Sequence, residues 1–268
     1  MKIFVIGISL ILTLALISCE SAKKEAGLME QEVSYNLDTL RMKGFLAYDK
    51  SVEGKRPGVL VVHEWWGHNE YARKRVRMLA EMGYIALAVD MYGDGKQADH
   101  PDDAGKFAGA VMSDIENAKA RFMAAMDFLK EQDQTDTQQI AAIGYCFGGG
   151  VVLHMARMGL DLKGVASFHG SIATRQPAQP GEVKAKILVC NGAEDNFVTA
   201  EQIEAFKKEM DDAGADYTFI SYENAKHSFT NPDADKFAAK FELPLAYNAA
   251  ADQKSWNDMK QFFGEIFK

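Results

Sequence analysis

The sequence has little cysteine: three residues in 268, with no Cys-x-x-Cys pair among them. That spacing takes away the dithiol motif of a thiol redox protein. Positive charge is also short, with 30 Lys and Arg against 38 Asp and Glu for a net charge of -8. Such a balance offers no basic face to nucleic acid or to an anionic membrane surface. There are no internal repeats and no low-complexity blocks, so solenoids and disordered arrays are excluded. Only one apolar run is long, Ile3 to Ile17, and it is too short to span a bilayer comfortably. Proline is scarce; Pro177 and Pro180 mark a surface loop at 176–181 rather than a domain boundary.

What is present begins at the N-terminus. Met1-Lys2 and the apolar run are followed by Leu16-Ile17-Ser18-Cys19. This resembles the lipobox of bacterial lipoproteins. The resemblance implies a signal peptide over 1–18, lipid on the Cys19 sulfur, and export to the periplasmic side of the cell envelope. Membrane attachment is then through that lipid only. The polar segment from Glu20 to about Glu32 reads as a tether. Residues 33–268 read as a single α/β domain, long enough for a substantial core. With Cys19 lipidated, Cys146 and Cys190 are left; Cys190 closes the apolar run Ile187-Leu188-Val189 and reads as core rather than as half of a disulfide.

Strand-like and helix-like segments alternate after about residue 57. Apolar runs at 58–63, 84–89, 140–143, 163–168, 186–190 and 217–222 read as strands. Helical periodicity marks 70–82, 114–130, about 200–213 and a C-terminal helix through 253–262. Thr199 with Gln202 makes a capping box, and Gly214 ends that helix. The alternation predicts a mostly parallel sheet with helices on both faces, and a site beyond the carboxyl ends of the strands. The glycine-spaced stretch from Gly93 to Gly109 is expected to be a mobile rim.

The segment Gly144-Tyr145-Cys146-Phe147-Gly148 lies between a strand and a helix. Small-x-nucleophile-x-small at such a junction is a nucleophile elbow, here with cysteine where serine is usual. The helix N-terminus behind Cys146 favours a thiolate and an oxyanion. Asp195 follows the next-but-one strand, with Glu194 as its neighbouring rival, and His227 follows the strand after that. The order nucleophile, acid, histidine is that of α/β-hydrolases. In this reading His227 activates Cys146 and Asp195 orients His227. The loop His63-Glu64-Trp65-Trp66-Gly67-His68 supplies the other side of the site. The backbone N–H groups of Trp65 and Phe147 are the expected oxyanion donors. A zinc reading of this loop fails on spacing, because His63 and His68 are five apart and Gly67 intervenes, whereas a zinc helix needs four. Neither a metal nor a cofactor is expected.

Five motifs, His63-Glu64-Trp65-Trp66-Gly67, Asp90-Met91-Tyr92-Gly93, Gly144 to Gly149, Asn191 to Asp195 and Lys226-His227-Ser228-Phe229, together resemble the dienelactone hydrolase family of α/β-hydrolases. The resemblance implies a Cys146-Asp195-His227 triad, preferring Asp195 over Glu194. It also implies that Glu64 contacts the resting cysteine and controls its ionisation. Two arginines that hold a substrate carboxylate in this family fall at Asp94-Gly95-Lys96 and at Asn231, and neither is arginine here. Lys96 or Arg175 could substitute, although lysine lacks the bidentate fork. Trp65, Trp66, Tyr92, Tyr145 and Phe147 suggest an apolar, aromatic cleft, with Trp66, Tyr92 and Tyr145 touching substrate. The resulting expectation is a carboxymethylenebutenolidase-like hydrolase of a small-molecule ester or lactone, working through a thioester. The alternative is a lipid-anchored binding protein that keeps the pocket without turnover.

Overall fold

The computed structural model describes residues 27–268. The expected signal peptide, Cys19 and most of the expected tether lie outside the described residues. The end of that tether is corrected: residues 28–32 open the first strand, β1 (Leu28–Leu37). It pairs antiparallel with β2 (Leu40–Asp49), from Leu28 opposite Asp49 to Leu37 opposite Leu40. A strand at the sheet edge needs only one partly covered face. Glu30, Gln31 and Glu32 are therefore exposed while Tyr35 is buried, and the segment looks polar in sequence.

The remaining elements alternate as the periodicity predicts. They are β3 (Arg56–Val62), α1 (Glu70–Glu81), β4 (Ile85–Val89), α2 (Pro101–Met112), α3 (Ile115–Lys130), β5 (Thr135–Tyr145), α4 (Phe147–Arg157), β6 (Gly164–Phe168), β7 (Lys186–Gly192), α5 (Ala200–Ala213), β8 (Tyr217–Tyr222), α6 (Ala234–Phe241) and α7 (Ala249–Ile266). The eight strands form one sheet in the order β1-β2-β4-β3-β5-β6-β7-β8. β2 runs antiparallel to β4, and every pairing from β4 to β8 is parallel.

Strict alternation along the central strands separates two cores. Leu60, Val62, Leu87, Val89 and Ala142 face α3, α4 and α5. Val59, Val61, Ala86, Ala88, Ile143 and Tyr145 face α1 and α7, against Leu79, Trp256 and Phe263. Strands buried on both faces carry no polar alternation, which is why each reads as a continuous apolar run. The α5 capping box forms as expected, and Gly214 closes that helix in the left-handed region at φ 66. Among the described residues no helix is long and apolar enough to cross a membrane.

Two helices were not anticipated. α2 replaces the last part of the expected rim, started by Pro101 and by the His100 side chain, which accepts from the Asp102 N–H at 3.2 Å. Glycines at 105 and 109 hide it in sequence, because they weaken helical propensity without adding an apolar stripe. α6 is short and leaves only Ala234 fully buried, so its periodicity is faint.

Candidate active site

The chain turns from β5 into α4 at Cys146, which sits at φ 52 and ψ -114. That left-handed backbone is strained for a residue with a side chain and lifts the thiol out of the sheet. Two glycines make the turn possible. A Cβ on Gly144 would lie 2.0 Å from the Gly148 carbonyl oxygen, and one on Gly148 would lie 2.3 Å from that of Val62. The turn is tied down by the Cys146 N–H donating to Phe168 O (3.0 Å) and the Gly148 N–H donating to His63 O (3.1 Å).

The three residues expected to act together meet beyond the strand ends. His227 Nε2 lies 3.1 Å from Cys146 Sγ, and His227 Nδ1 donates to Asp195 Oδ2 at 2.8 Å. Asp195 is buried, and its other oxygen accepts the Phe197 N–H at 2.9 Å. Glu194, the rival, is exposed. Burial alone would push the His227 imidazole down. The charge of Cys146 and the hydrogen bond to Asp195 outweigh it and raise its pKa from 6.5 to about 10. The raised value keeps the imidazole protonated at neutral pH, with its two ring nitrogens facing Cys146 and Asp195.

Across from the elbow, the loop after β3 presents Trp65. Its N–H and that of Phe147 have no acceptor among the described residues, and both residues line the cavity beside Cys146. Tyr92 holds this loop, its hydroxyl donating to the Trp65 carbonyl at 2.9 Å while its ring lies against His63 and Phe147. Asp90 in turn fixes Tyr92: its buried carboxylate accepts four backbone N–H groups, from Lys43, Tyr92, Gly93 and Gly95, at 2.7–3.0 Å. Tyr92 is therefore a support of the loop rather than part of the cavity wall.

Glu64 departs from expectation. Its buried carboxylate accepts from Ser228 Oγ (3.1 Å) and from Asn231 Nδ2 (2.6 Å). Burial raises its pKa, opposed by those two bonds and by the charge of His227. The hydrogen-bonding partner of Cys146 is His227, not Glu64. Asn231, at the position of a family arginine, is turned inward to Glu64 and is buried.

The cavity at Cys146 and His227 has a volume of about 420 Å³, within the range of small-molecule sites. Trp65 and Phe147 line it as expected. Trp66 does not; it is stacked on Phe237 and Phe241 in a separate cluster with Ala98 and Ala104. Tyr145 does not either, because the strand alternation that places Cys146 on one face turns Tyr145 to the other, against Phe168 and Tyr71. Arg175 and Lys96 each line a different hollow. The walls that sequence reasoning missed are Ala108, Gly109 and Met112 of α2, Ser171, Phe197 and Val198 after Asp195, and Leu243 and Leu245. A large apolar residue in the polar run Asp195-Asn196-Phe197 was a usable signal. Leu243 and Leu245 gave none, since they reach the cavity only because the 243–246 segment bridges back to the His227 loop, the Ala246 N–H donating to His227 O at 3.2 Å.

Comparison with known proteins places this arrangement. The model of the dienelactone hydrolase family matches residues 42–267. Protein usf of Aquifex pyrophilus is 27% identical over 241 residues, covering 88% of this chain and 99% of its own. A solved structure described as m3DLH is 37% identical with a TM-score of 0.85, covering 90% of this chain and all of its own (100%). A dienelactone hydrolase-like promiscuous phosphotriesterase, P91, from metagenomic libraries is 34% identical with a TM-score of 0.81, covering 90% of this chain and 99% of its own.

Proposed function

The chain belongs to the dienelactone hydrolase family and is an α/β hydrolase acting on esters or lactones, and we propose that it does so through a thioester on Cys146. The observation that carries this reading is the line Asp195–His227–Cys146, with contacts of 2.8 and 3.1 Å, its His227 and Cys146 lining a cavity. Cys146 Sγ attacks the carbonyl carbon of the bound ester. The negative charge that develops on the carbonyl oxygen is met by the free N–H groups of Trp65 and Phe147, rigid main-chain donors that need no reorganisation. His227, already an imidazolium, gives its Nε2 proton to the departing alkoxide, leaving an acyl-thioester. It then takes a proton from the water that attacks that thioester; the acid leaves, and the Cys146 thiolate is regenerated beside the protonated His227. Asp195 holds the ring by Nδ1, so that Nε2 always faces the sulfur.

Glu64, with Ser228 and Asn231, braces the His227 loop from behind in this scheme rather than switching the thiol. The test is hydrolysis of p-nitrophenyl acetate and a simple enol lactone by the soluble domain and by its Cys146→Ala form. The expected outcome is a loss of roughly three orders of magnitude or more, with a covalent acyl adduct on Cys146 detected by mass spectrometry in the parent alone. Equal rates in the two proteins would remove Cys146 from the mechanism.

A further inference from the structure

The cavity walls carry no positive side chain except His227. Both of its ring nitrogens are already engaged, by Asp195 at 2.8 Å and by Cys146 at 3.1 Å. The rest of the lining is mostly apolar, including Met112 of α2, Phe197, Leu243 and Leu245, with Ser171 as a neutral polar side chain. Phe197 is the large hydrophobic residue left exposed among those described, 52% accessible, and its ring lies 4.8 Å from that of His227.

We infer that the site takes uncharged esters or lactones with an apolar acyl chain and rejects those carrying a carboxylate near the scissile carbonyl, with Phe197 as a specificity-determining residue at the rim. The inference rests on the ester-hydrolase reading above. An alkyl chain laid against Met112, Phe197 and Leu245 leaves water for an apolar surface, which is worth about 0.8 kcal/mol, or about fourfold, per methylene. A carboxylate in the same place would lose its hydration and gain no cation, at a cost of several kcal/mol. Arg175 and Lys96, the expected alternatives for an anion, line other hollows.

Two comparisons test this. Along p-nitrophenyl acetate, butanoate and hexanoate, kcat/KM should rise about fourfold per methylene until the cavity is full. p-Nitrophenyl pentanoate should be preferred over p-nitrophenyl hydrogen succinate by at least about 100-fold. Phe197→Lys, an exposed position whose backbone bond to Asp195 is kept, should raise the rate on the succinate ester and lower that on the pentanoate. A succinate ester turned over as well as the pentanoate would overturn the inference, and so would a Phe197→Lys enzyme with unchanged preference. If Cys146→Ala hydrolyses every ester as fast as the parent, the catalytic reading fails separately. Tryptophan fluorescence with methyl pentyl ketone against a keto acid of equal length then still reads the preference: tighter binding of the neutral ketone supports it, and equal or tighter binding of the keto acid refutes it.

Discussion

Replacing Cys146 with alanine should change the titration of His227 more than it changes anything else in the fold. The two groups are 3.1 Å apart. At an effective dielectric of about 20, opposite unit charges at that separation attract by about 5 kcal/mol, equivalent to about four pKa units. Burial of His227 works against that attraction, and Asp195 at 2.8 Å works with it. The balance in the intact protein leaves the imidazole raised from 6.5 to about 10. The sign follows directly: below that value His227 is charged and able to protonate a leaving group, and as pH rises through it the acid is lost. The alkaline limb of kcat/KM should therefore lie far above the ordinary histidine range. Without the sulfur, burial opposes Asp195 alone, and His227 should fall back to 6.5 or below. Two-dimensional NMR of the imidazole nitrogens across the neutral and alkaline range reads both proteins. A His227 in Cys146→Ala that titrates where the parent does would refute the reasoning, since it would show that the sulfur carries no charge in the resting pair.

Other outcomes follow from the same geometry. Glu64 has a raised folded pKa, so its ionised form is disfavoured, and the resulting stability is present below 4.5 and lost as pH rises through the folded value. Glu64→Gln should therefore gain on the parent toward neutral pH, on the order of 1 kcal/mol, in urea melts run at acid and neutral pH. Gly148→Ala forces a methyl group to 2.3 Å from the Val62 carbonyl oxygen. It should cost about 3 kcal/mol and lower Tm by roughly 10 °C, with activity lost in whatever remains folded. We also propose that Cys19 carries a lipid in the full chain. Cys19→Ser should abolish partition into a detergent phase and labelling by fatty acid while leaving the hydrolase domain folded, and partition that survives the substitution would reject the anchor.

The extent to which this protein could be read in advance depends on how local each signal is. The β-α alternation, the capping box at Thr199 and the elbow at Cys146 are written over a few consecutive residues, so period and turn chemistry suffice to find them. The order Cys146, Asp195, His227 is also visible, because parallel strands deliver their carboxyl ends to one side of the sheet in sequence. Tyr145, Trp66 and Tyr92 misled because a motif names residues without saying which way they point. Strand parity sends Tyr145 to the opposite core, stacking removes Trp66 to its own cluster, and a single hydroxyl-to-carbonyl bond makes Tyr92 a strut.

Composition and pattern thus determined the fold class and, with the family resemblance choosing Asp195 over Glu194, the residues that meet at the strand ends. The tertiary structure alone decided what surrounds them. The polar edge strand β1 exists only because β2 pairs with it. Leu243 and Leu245 reach Cys146 only through the bridge between the 243–246 segment and the His227 loop. Asn231 bonds Glu64 rather than facing substrate because a buried carboxylate requires donors and these two side chains are neighbours only in space. Hydrophobic period and turn chemistry act between residues close in sequence. Cavity walls and the partners of buried charges are set by contacts between residues far apart in the chain, and those contacts leave no periodic trace in it.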